Sequence, residues 1–237
     1  MRKLFVYLVM GLLCACEVID EADRLIPVQP DTNGNRTHVL IEFTGFRCVN
    51  CPTAAEQANE LKELYKEHLI IVSLHPASNP FTQGKYDYTC PAADSIYRLM
   101  GGTATTPFPT GNIDFRQKDD RWFFDHLEWP AQVSQAMADS LCPPLSSLTD
   151  YRTSYWLVED SVLGVQAMPD GSVNTEYYHR HVLRAVFEEP QITLPDYCNP
   201  EHCTVVKLII DTNDQHIVNA YETKMDSYSN CLSSMDH

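Results

Sequence analysis

Two cysteines separated by two residues, Cys48 and Cys51, are the side chains best placed to do chemistry. They follow the apolar run at residues 39–43, and a helical pattern begins near Thr53, so the sequence predicts a strand, a short turn and a helix start. Thiols at this spacing can close a small redox disulfide, and the positive end of a helix favours the thiolate of the first cysteine. The pattern therefore indicates Cys48 as the nucleophile and Cys51 as the resolving thiol.

The same spacing is also typical of a structural disulfide or of half a zinc site. A four-ligand zinc site needs a second pair of ligands at similar spacing, and the sequence has no other Cys-x-x-Cys. His179 and His181 could share one face of a strand and bind a metal, but no third ligand is evident. We therefore expect no metal site and no cofactor. The residues around Cys198 and Cys203 favour a loop disulfide instead.

The N-terminal residues 1–15 have the pattern of a secretory signal peptide. Two basic residues precede an apolar run at residues 4–13, which is too short to cross a membrane. Residues 13–16, Leu-Cys-Ala-Cys, resemble a bacterial lipobox, although Cys14 departs from the small residue usual at that position. The resemblance implies that Cys16 carries a lipid, which anchors the protein to a membrane without crossing it. The alternative is an ordinary signal peptide cut nearby, with Cys16 left free.

The chain is acidic, with 32 acidic and 17 basic side chains and a formal net charge of −15. Removal of residues 1–15 takes away two basic residues, and 17 − 2 = 15 against 32 leaves −17. Such a surface repels nucleic acid, so we expect no nucleic-acid partner. An exported compartment permits disulfides, so the expected partners are exported proteins with thiols or disulfides, and the bacterial membrane through the lipid on Cys16.

The rest of the sequence predicts two folded parts after an acidic tether at residues 16–36. In residues 37–144 a second buried strand at 69–74 completes a strand–helix–strand unit. His75 lies just past that strand, where open α/β sheets place their sites, and it could orient a substrate or take a proton. In residues 145–237 short β-rich runs separated by turns predict a small antiparallel sheet or sandwich; the runs are 154–158, 161–167, 181–187, 204–210 and 217–223.

The first part resembles the thioredoxin superfamily. The matching features are the strand at 39–43, the segment Arg47-Cys48-Val49-Asn50-Cys51-Pro52 with its helix, and Phe108-Pro109-Thr110 before a strand. The resemblance implies that Pro109 is the cis-proline that contacts the substrate chain. It also implies that Glu42 is the buried acid that manages the proton of the second cysteine, with a pKa raised by desolvation.

Two departures from the thioredoxin pattern concern the residues around the cysteines. Arg47 stands where tryptophan is usual, and Val49-Asn50 replaces glycine-proline. A cation beside Cys48 should stabilise its thiolate, whereas the altered dipeptide leaves the reduction potential open.

The mature chain as a whole more closely resembles the outer membrane protein twenty-eight family of Bacteroidetes lipoproteins. That family joins a thioredoxin-like α/β domain to a β-rich, sandwich-like C-terminal domain. The resemblance implies this architecture and a place at the outer membrane, facing the periplasm or the cell surface. The Cys48–Cys51 pair and the lipobox-like residues then make a lipid-anchored thiol-disulfide oxidoreductase of the cell envelope the leading hypothesis. The alternative is a binding lipoprotein in which the Cys48–Cys51 disulfide is a staple and the β-rich domain carries recognition. The matching stretches are 13–16, 19–21, 23–24, 41–52, 72–75, 178–184 and 217–220.

Overall fold

The computed structural model describes residues 36–138 and 150–228. Cys16, Cys142 and Cys231 lie outside the described residues, as do the signal peptide and nearly all of the tether. In the part of the chain that the structure describes, no helix has the length and apolarity needed to cross a membrane. The helices are α1 (Cys51–Tyr65), α2 (Pro91–Leu99) and α3 (Trp129–Ala138), and the strands are β1 (His38–Phe43), β2 (Leu69–Leu74), β3 (Thr110–Ile113), β4 (Phe124–Asp125), β5 (Tyr151–Glu159), β6 (Val162–Ala167), β7 (Val173–His179), β8 (Val182–Phe187), β9 (Cys203–Asp211) and β10 (Ile217–Lys224).

Eight of these strands form one mixed sheet in the order β10-β9-β5-β8-β2-β1-β3-β4. The parallel pair β1 and β2, joined through α1, forms the predicted strand–helix–strand unit at its centre. Strand β3 runs antiparallel to β1 and β8 runs parallel to β2, while β5, β9 and β10 continue as antiparallel neighbours. The remaining strands, β6 and β7, pair with each other in a separate two-stranded sheet, which we call the β6–β7 hairpin.

The C-terminal half is rich in antiparallel strands, as the sequence predicts, but its strands extend the sheet of the N-terminal half. The junction is narrow: β2 and β8 pair through Ser73 and Val182, and the Ser73 amide donates to the His181 carbonyl at 2.7 Å. Because an unpaired strand edge leaves its backbone groups unsatisfied, β8 covers an edge that β2 would otherwise expose. A separate sandwich is therefore not confirmed. The expected boundary between residues 144 and 145 lies outside the described residues, and the domain division stays a prediction.

The helices cover both faces of the central strands. Successive side chains of a strand point to opposite faces, so β1 contributes to two apolar clusters. Val39, Ile41 and Phe43 lie in the cluster that includes buried residues of α2, and Leu40 lies in the cluster built from α1 and α3. Every residue of β1 and β2 is buried, which accounts for their continuous apolar sequences. The cysteine turn that follows β1 is therefore held at the end of the most buried strand.

Asp114, just after β3, joins three distant parts of the chain. Its buried carboxylate accepts from Arg36 Nη2 at 3.1 Å and from the Val39 amide at 2.8 Å, and it lies 2.6 Å from His38 Nδ1. The Asp114 carbonyl accepts from the Ile217 amide at the start of β10, at 2.8 Å. A buried carboxylate is stable only when it is paired and hydrogen-bonded, and this one is.

We expect Asp114→Asn to lower the free energy of unfolding by about 3–5 kcal/mol, because it leaves the buried Arg36 guanidinium without its counter-charge. Asparagine keeps the shape of the side chain and tolerates the backbone φ of 56° at this position. Urea unfolding of the oxidised protein measures the change. The matched control is Asp196→Asn at an exposed position, where we expect a change within about 0.5 kcal/mol. Equal losses of unfolding free energy in the two variants would contradict the stabilising role of the Asp114 carboxylate.

Candidate functional site

Cys48 and Cys51 lie at the C-terminal end of β1 and form a disulfide, with their Cα atoms 5.4 Å apart. Cys48 belongs to the turn and Cys51 is the first residue of α1. The turn is closed by the Cys48 amide, which donates to the Gly45 carbonyl at 3.0 Å. A Cβ at Gly45 would lie 2.6 Å from the Phe81 carbonyl oxygen, so the close approach of the loop after β2 requires glycine there. The predicted pair of cysteines is thus confirmed as a disulfide at a helix N-terminus.

The immediate neighbours of the pair have different environments. Pro52 lies in the first turn of α1, where its missing N–H has no intrahelical partner to lose. Arg47 is exposed, and its Nη1 donates to the Gln83 carbonyl at 3.3 Å in the loop after β2. This hydrogen bond directs the guanidinium towards the loop, so the expected effect of Arg47 on the Cys48 pKa stays a prediction.

Pro109 lies opposite the cysteine turn. The Phe108–Pro109 peptide bond is cis, as expected for Pro109. The next residue, Thr110, opens β3 and pairs with Phe43, the last residue of β1. The start of β3 and the end of β1 are therefore adjacent, which places Pro109 at the same end of the sheet as the disulfide.

Glu42 is buried beneath the disulfide. The Ser73 hydroxyl donates to its Oε2 at 2.8 Å, whereas its Oε1 is buried with no hydrogen-bond partner among the described residues. Burial raises the pKa of Glu42 to about 7, and the hydrogen bond from Ser73 offsets part of that rise. Glu42 and Cys51 line a common cavity of about 20 Å³, which is room for one water molecule. Glu42 is thus buried and its pKa is shifted in the expected direction, while its role towards the second cysteine stays a prediction.

Two histidines line the same cavity. His75 is buried, and neither ring nitrogen has a hydrogen-bond partner among the described residues. Burial lowers the pKa of His75 well below its usual value, and the nearby His179 and Arg184 add to that shift. Burial also lowers the pKa of His179 to about 4, although its Nε2 lies 3.2 Å from the Val165 carbonyl oxygen. Both imidazoles are therefore neutral at physiological pH.

His179 and His181 do not share one face of a strand. His179 is the last residue of β7, and its ring packs against Tyr88 with centroids 4.5 Å apart. His181 has a positive φ of 55° after the strand ends, and its Nδ1 lies 3.2 Å from Asp160 Oδ1. The backbone change between them breaks the alternation that would bring both rings to one metal.

Two residues of the β6–β7 hairpin that no sequence pattern indicated, Gln166 and Ala167, contact the cysteine turn. The Gln166 side chain donates from Nε2 to the Cys48 carbonyl at 2.8 Å, and the Ala167 amide donates to the Phe46 carbonyl at 2.8 Å. Each contact joins residues more than a hundred positions apart in the chain, so no local sequence pattern predicts it. With the hairpin in place, Cys48 and Cys51 are each only 2% exposed.

The other cysteines of the described residues are free. Cys198 and Cys203 are buried, and their sulfurs and a Glu159 carboxylate oxygen lie within 4.8 Å of one another. The Arg184 Nε lies 3.1 Å from Glu159 Oε2 and already supplies a positive charge to that carboxylate. Burial raises the pKa of both thiols, that of Cys203 to about 12. The expected Cys198–Cys203 disulfide is not formed in the structure, and the pairing stays a prediction because the sulfurs are close.

The raised pKa of Glu42 predicts a loss of stability as the pH rises. The folded protein holds the Glu42 proton up to about pH 7, whereas the unfolded chain releases it near 4.5, so unfolding becomes easier between these values. The full cost, about 3 kcal/mol, is reached above pH 7. We expect Glu42→Gln to remove this pH dependence, which urea unfolding of the oxidised protein at pH 5 and pH 8 measures. Glu60→Gln on the exposed side of α1 is the control, and a Glu42→Gln profile parallel to that of the wild type would contradict the assignment.

No family model and no curated protein matches the chain. Among solved structures, HBP35 of Porphyromonas gingivalis is similar, with a TM-score of 0.59 at 14% identity over 81% of this chain and 76% of that chain. A protein from Agrobacterium tumefaciens gives a TM-score of 0.46 at 13% identity over 79% of this chain and 94% of that chain, and it carries no argument. The likeness to HBP35, a Bacteroidetes protein, is consistent with the expected Bacteroidetes family. At this identity it concerns the fold alone, and together with the cysteine geometry it supports a thioredoxin-like fold.

Proposed function

We propose that the protein is a lipid-anchored thiol-disulfide oxidoreductase of the bacterial cell envelope. The observation that carries the proposal is the Cys48–Cys51 disulfide at the start of α1, with the uncompensated carboxyl oxygen of Glu42 in the cavity that Cys51 lines. An acid with a pKa of about 7 in a cavity that Cys51 also lines is more typical of a reactive site than of a structural disulfide. The pairing of a disulfide with a titratable group near neutrality is typical of exchange chemistry.

The reduced protein can transfer two electrons to a substrate disulfide in two steps. The Cys48 thiolate attacks one substrate sulfur, a mixed disulfide forms, and the other substrate sulfur leaves as a thiolate. Cys51 then loses its proton to Glu42 and attacks Cys48 Sγ. The Cys48–Cys51 disulfide forms as the bond between Cys48 and the attached substrate sulfur breaks, that sulfur leaves as a thiolate, and the substrate disulfide has been reduced. The reverse sequence oxidises a substrate dithiol.

The site suits the two proton transfers in this sequence. Helix α1 begins at Cys51, so its positive end lies beside the Cys48 sulfur and favours the thiolate. Glu42 can accept and return a proton near neutral pH, through one water in the cavity it shares with Cys51. Pro109 lies where the substrate chain would run past the disulfide, at the entrance of β3.

The location and the partners of the protein form part of the same proposal. The lipobox-like residues 13–16 support a lipid on Cys16 and an outer-membrane anchor facing the periplasm or the cell surface. The net charge of −15 opposes contact with nucleic acid, and an oxidising compartment supplies exported proteins with thiols or disulfides as substrates.

A second candidate function is a binding lipoprotein that uses the disulfide as a staple. The observation in its favour is the burial of both cysteines beneath the β6–β7 hairpin, since a catalytic thiol must be reached by its substrate. In that case the C-terminal strands carry recognition, and the raised pKa of Glu42 is a by-product of burial.

Mixed-disulfide trapping in the native envelope tests the oxidoreductase. We expect Cys51→Ala, quenched with acid, to yield discrete covalent adducts of Cys48 with exported proteins, because the resolving thiol is absent. The adducts disappear on reduction and are absent from the Cys48→Ala control. Mass spectrometry of the adducts names the substrates.

Two results together would contradict the oxidoreductase function. An absence of adducts, combined with a Cys48–Cys51 reduction potential below roughly −300 mV, would move the assignment to the staple, because structural disulfides have potentials in that range.

Lipid attachment is tested separately. We expect the protein expressed in a bacterium with a lipoprotein pathway to incorporate radiolabelled palmitate and to fractionate with the outer membrane. Cys16→Ser should lose the label, whereas Cys14→Ser should keep it. A labelled Cys16→Ser variant would refute the anchor.

A further inference from the structure

The β6–β7 hairpin stands apart from the main sheet. Its strands pair only with each other, and Pro169, Asp170 and Gly171 lie in the turn between them. A two-stranded hairpin without a third strand is marginally stable by itself, so contacts with the rest of the protein hold it in place. Its outer face exposes Leu163 and Tyr178, each 58% accessible, and its inner face lies on the cysteine turn.

The inner face of the hairpin is hydrogen-bonded to the backbone of the cysteine turn. The Ala167 amide donates to the Phe46 carbonyl, and Gln166 Nε2 donates to the Cys48 carbonyl, both at 2.8 Å. Gln166 is 2% exposed, which is unusual for a glutamine that is not fixed by its partners. Strand β6 therefore supplies the donors that an extended polypeptide would supply if it lay across this turn.

Tyr88 contacts both strands of the hairpin. Its hydroxyl accepts from the Val165 amide at 2.9 Å, and its ring packs on His179 of β7. A Cβ at Gly164 would lie 1.8 Å from the Tyr88 hydroxyl oxygen, so only glycine lets the tyrosine reach the strand. The hairpin is thus held by a few hydrogen bonds and by the packing of the Tyr88 and His75 rings on His179, without the ladder of a larger sheet.

The burial of Cys48 conflicts with attack on a protein disulfide while the hairpin is closed. Val49, the next residue, is 45% exposed, but Cys48 itself is 2% exposed. Thiol-disulfide exchange needs direct contact between two sulfurs, and a protein substrate brings a bulky chain with its sulfur. The exchange therefore requires the hairpin to leave the turn.

We propose that the β6–β7 hairpin is a displaceable cover over Cys48, and that an extended polypeptide segment carrying the target disulfide takes its place during exchange. The proposal rests on the oxidoreductase function proposed above. When the hairpin leaves, the carbonyls of Phe46 and Cys48 lose their donors, and backbone amides of the incoming segment replace them. The recognition is by backbone and extended shape, so it suits unfolded or locally opened exported proteins rather than small thiols.

Alkylation of Cys48 tests the cover without any turnover. In reduced Cys51→Ala, the tryptic peptide 48–62 contains Cys48 as its single cysteine, so mass spectrometry follows its reaction with iodoacetamide. We expect Gln166→Ala, added to this background, to raise the rate about fivefold to tenfold, because loss of one hydrogen bond raises the open population by about that factor. Tyr88→Phe, which removes the acceptor of the Val165 amide, should act in the same direction. Gln135→Ala on the exposed side of α3 is the matched control.

Rates that are the same in all four proteins, or a background rate already equal to that of the urea-unfolded chain, would overturn the cover. Thermal unfolding of each variant shows whether the protein remains folded. If Gln166→Ala fails to fold, Tyr88→Phe and the exchange measurement below decide.

Hydrogen exchange tests the replacement of the hairpin by a polypeptide. Cys48 of Cys51→Ala is joined by a disulfide to an eight-residue linear peptide that contains one central cysteine. We expect the amides of Val165 and Ala167 to exchange at least tenfold faster in this adduct than in the unmodified protein, while the amides of β1 keep their protection. Unchanged protection of Val165 and Ala167 in the fully formed adduct would refute the displacement.

The two proposals fail in different ways. If Gln166→Ala accelerates a slow alkylation but no partners are trapped, the oxidoreductase function is refuted, and the hairpin covers a structural disulfide. Trapped partners together with an unprotected Cys48 would sink the cover and leave the oxidoreductase.

Discussion

The arrangement of the sheet depends on one buried carboxylate, that of Asp114, whose contacts connect strands from opposite ends of the sheet. Strand β10 is the far edge of the sheet, yet its first residue, Ile217, is hydrogen-bonded to Asp114 at the end of β3, near the opposite edge. The Arg36 guanidinium bonds to both the Asp114 carboxylate and the Ile217 carbonyl, so one charged cluster spans the start of β1, the end of β3 and the start of β10. Lys62 of α1 adds an ion pair with Glu222 of β10 at 2.7 Å. The C-terminal strands are thus tied to the thioredoxin-like part by strand pairing at β2, by this cluster with its neighbouring ion pair, and by the contacts of the β6–β7 hairpin with the cysteine turn.

The features predictable from sequence are those that local chemistry determines. The strand at 39–43 is found as His38–Phe43 and the strand at 69–74 as Leu69–Leu74, because strands buried on both faces need continuous apolar runs. The cysteine pair and Pro109 are recognisable for the same reason, since their spacing carries the geometry. Strand β7 was not among the expected strands, because Asn174, Thr175 and Glu176 make it polar and it lies outside the main sheet. The position of Gln166 over Cys48 depends on packing across 118 residues, which no window of sequence contains.

Desolvation shifts the pKa values of the three buried groups at the site so that each favours its neutral form. The pKa of Glu42 is raised, whereas those of His75 and His179 are lowered, so burial moves each group towards its neutral form. Between about pH 4 and pH 7, Glu42 and His179 in the cavity beside Cys51 are therefore mostly neutral, although the whole chain has a net charge of −15. Apart from Arg180, which also lines this cavity, a thiolate formed on Cys51 would have mostly neutral neighbours there, which makes the location of its proton important for its reactivity.

Burial of both sulfurs separates the rate of thiol exchange from its equilibrium. A disulfide that ambient small thiols contact rarely does not follow the redox poise of its surroundings on the timescale of that contact, whatever its reduction potential. The oxidation state of the disulfide then depends on which proteins have reached it and reacted with it. Where the concentration of small thiols fluctuates, such a site would exchange electrons with selected proteins and would not buffer the redox potential of its surroundings.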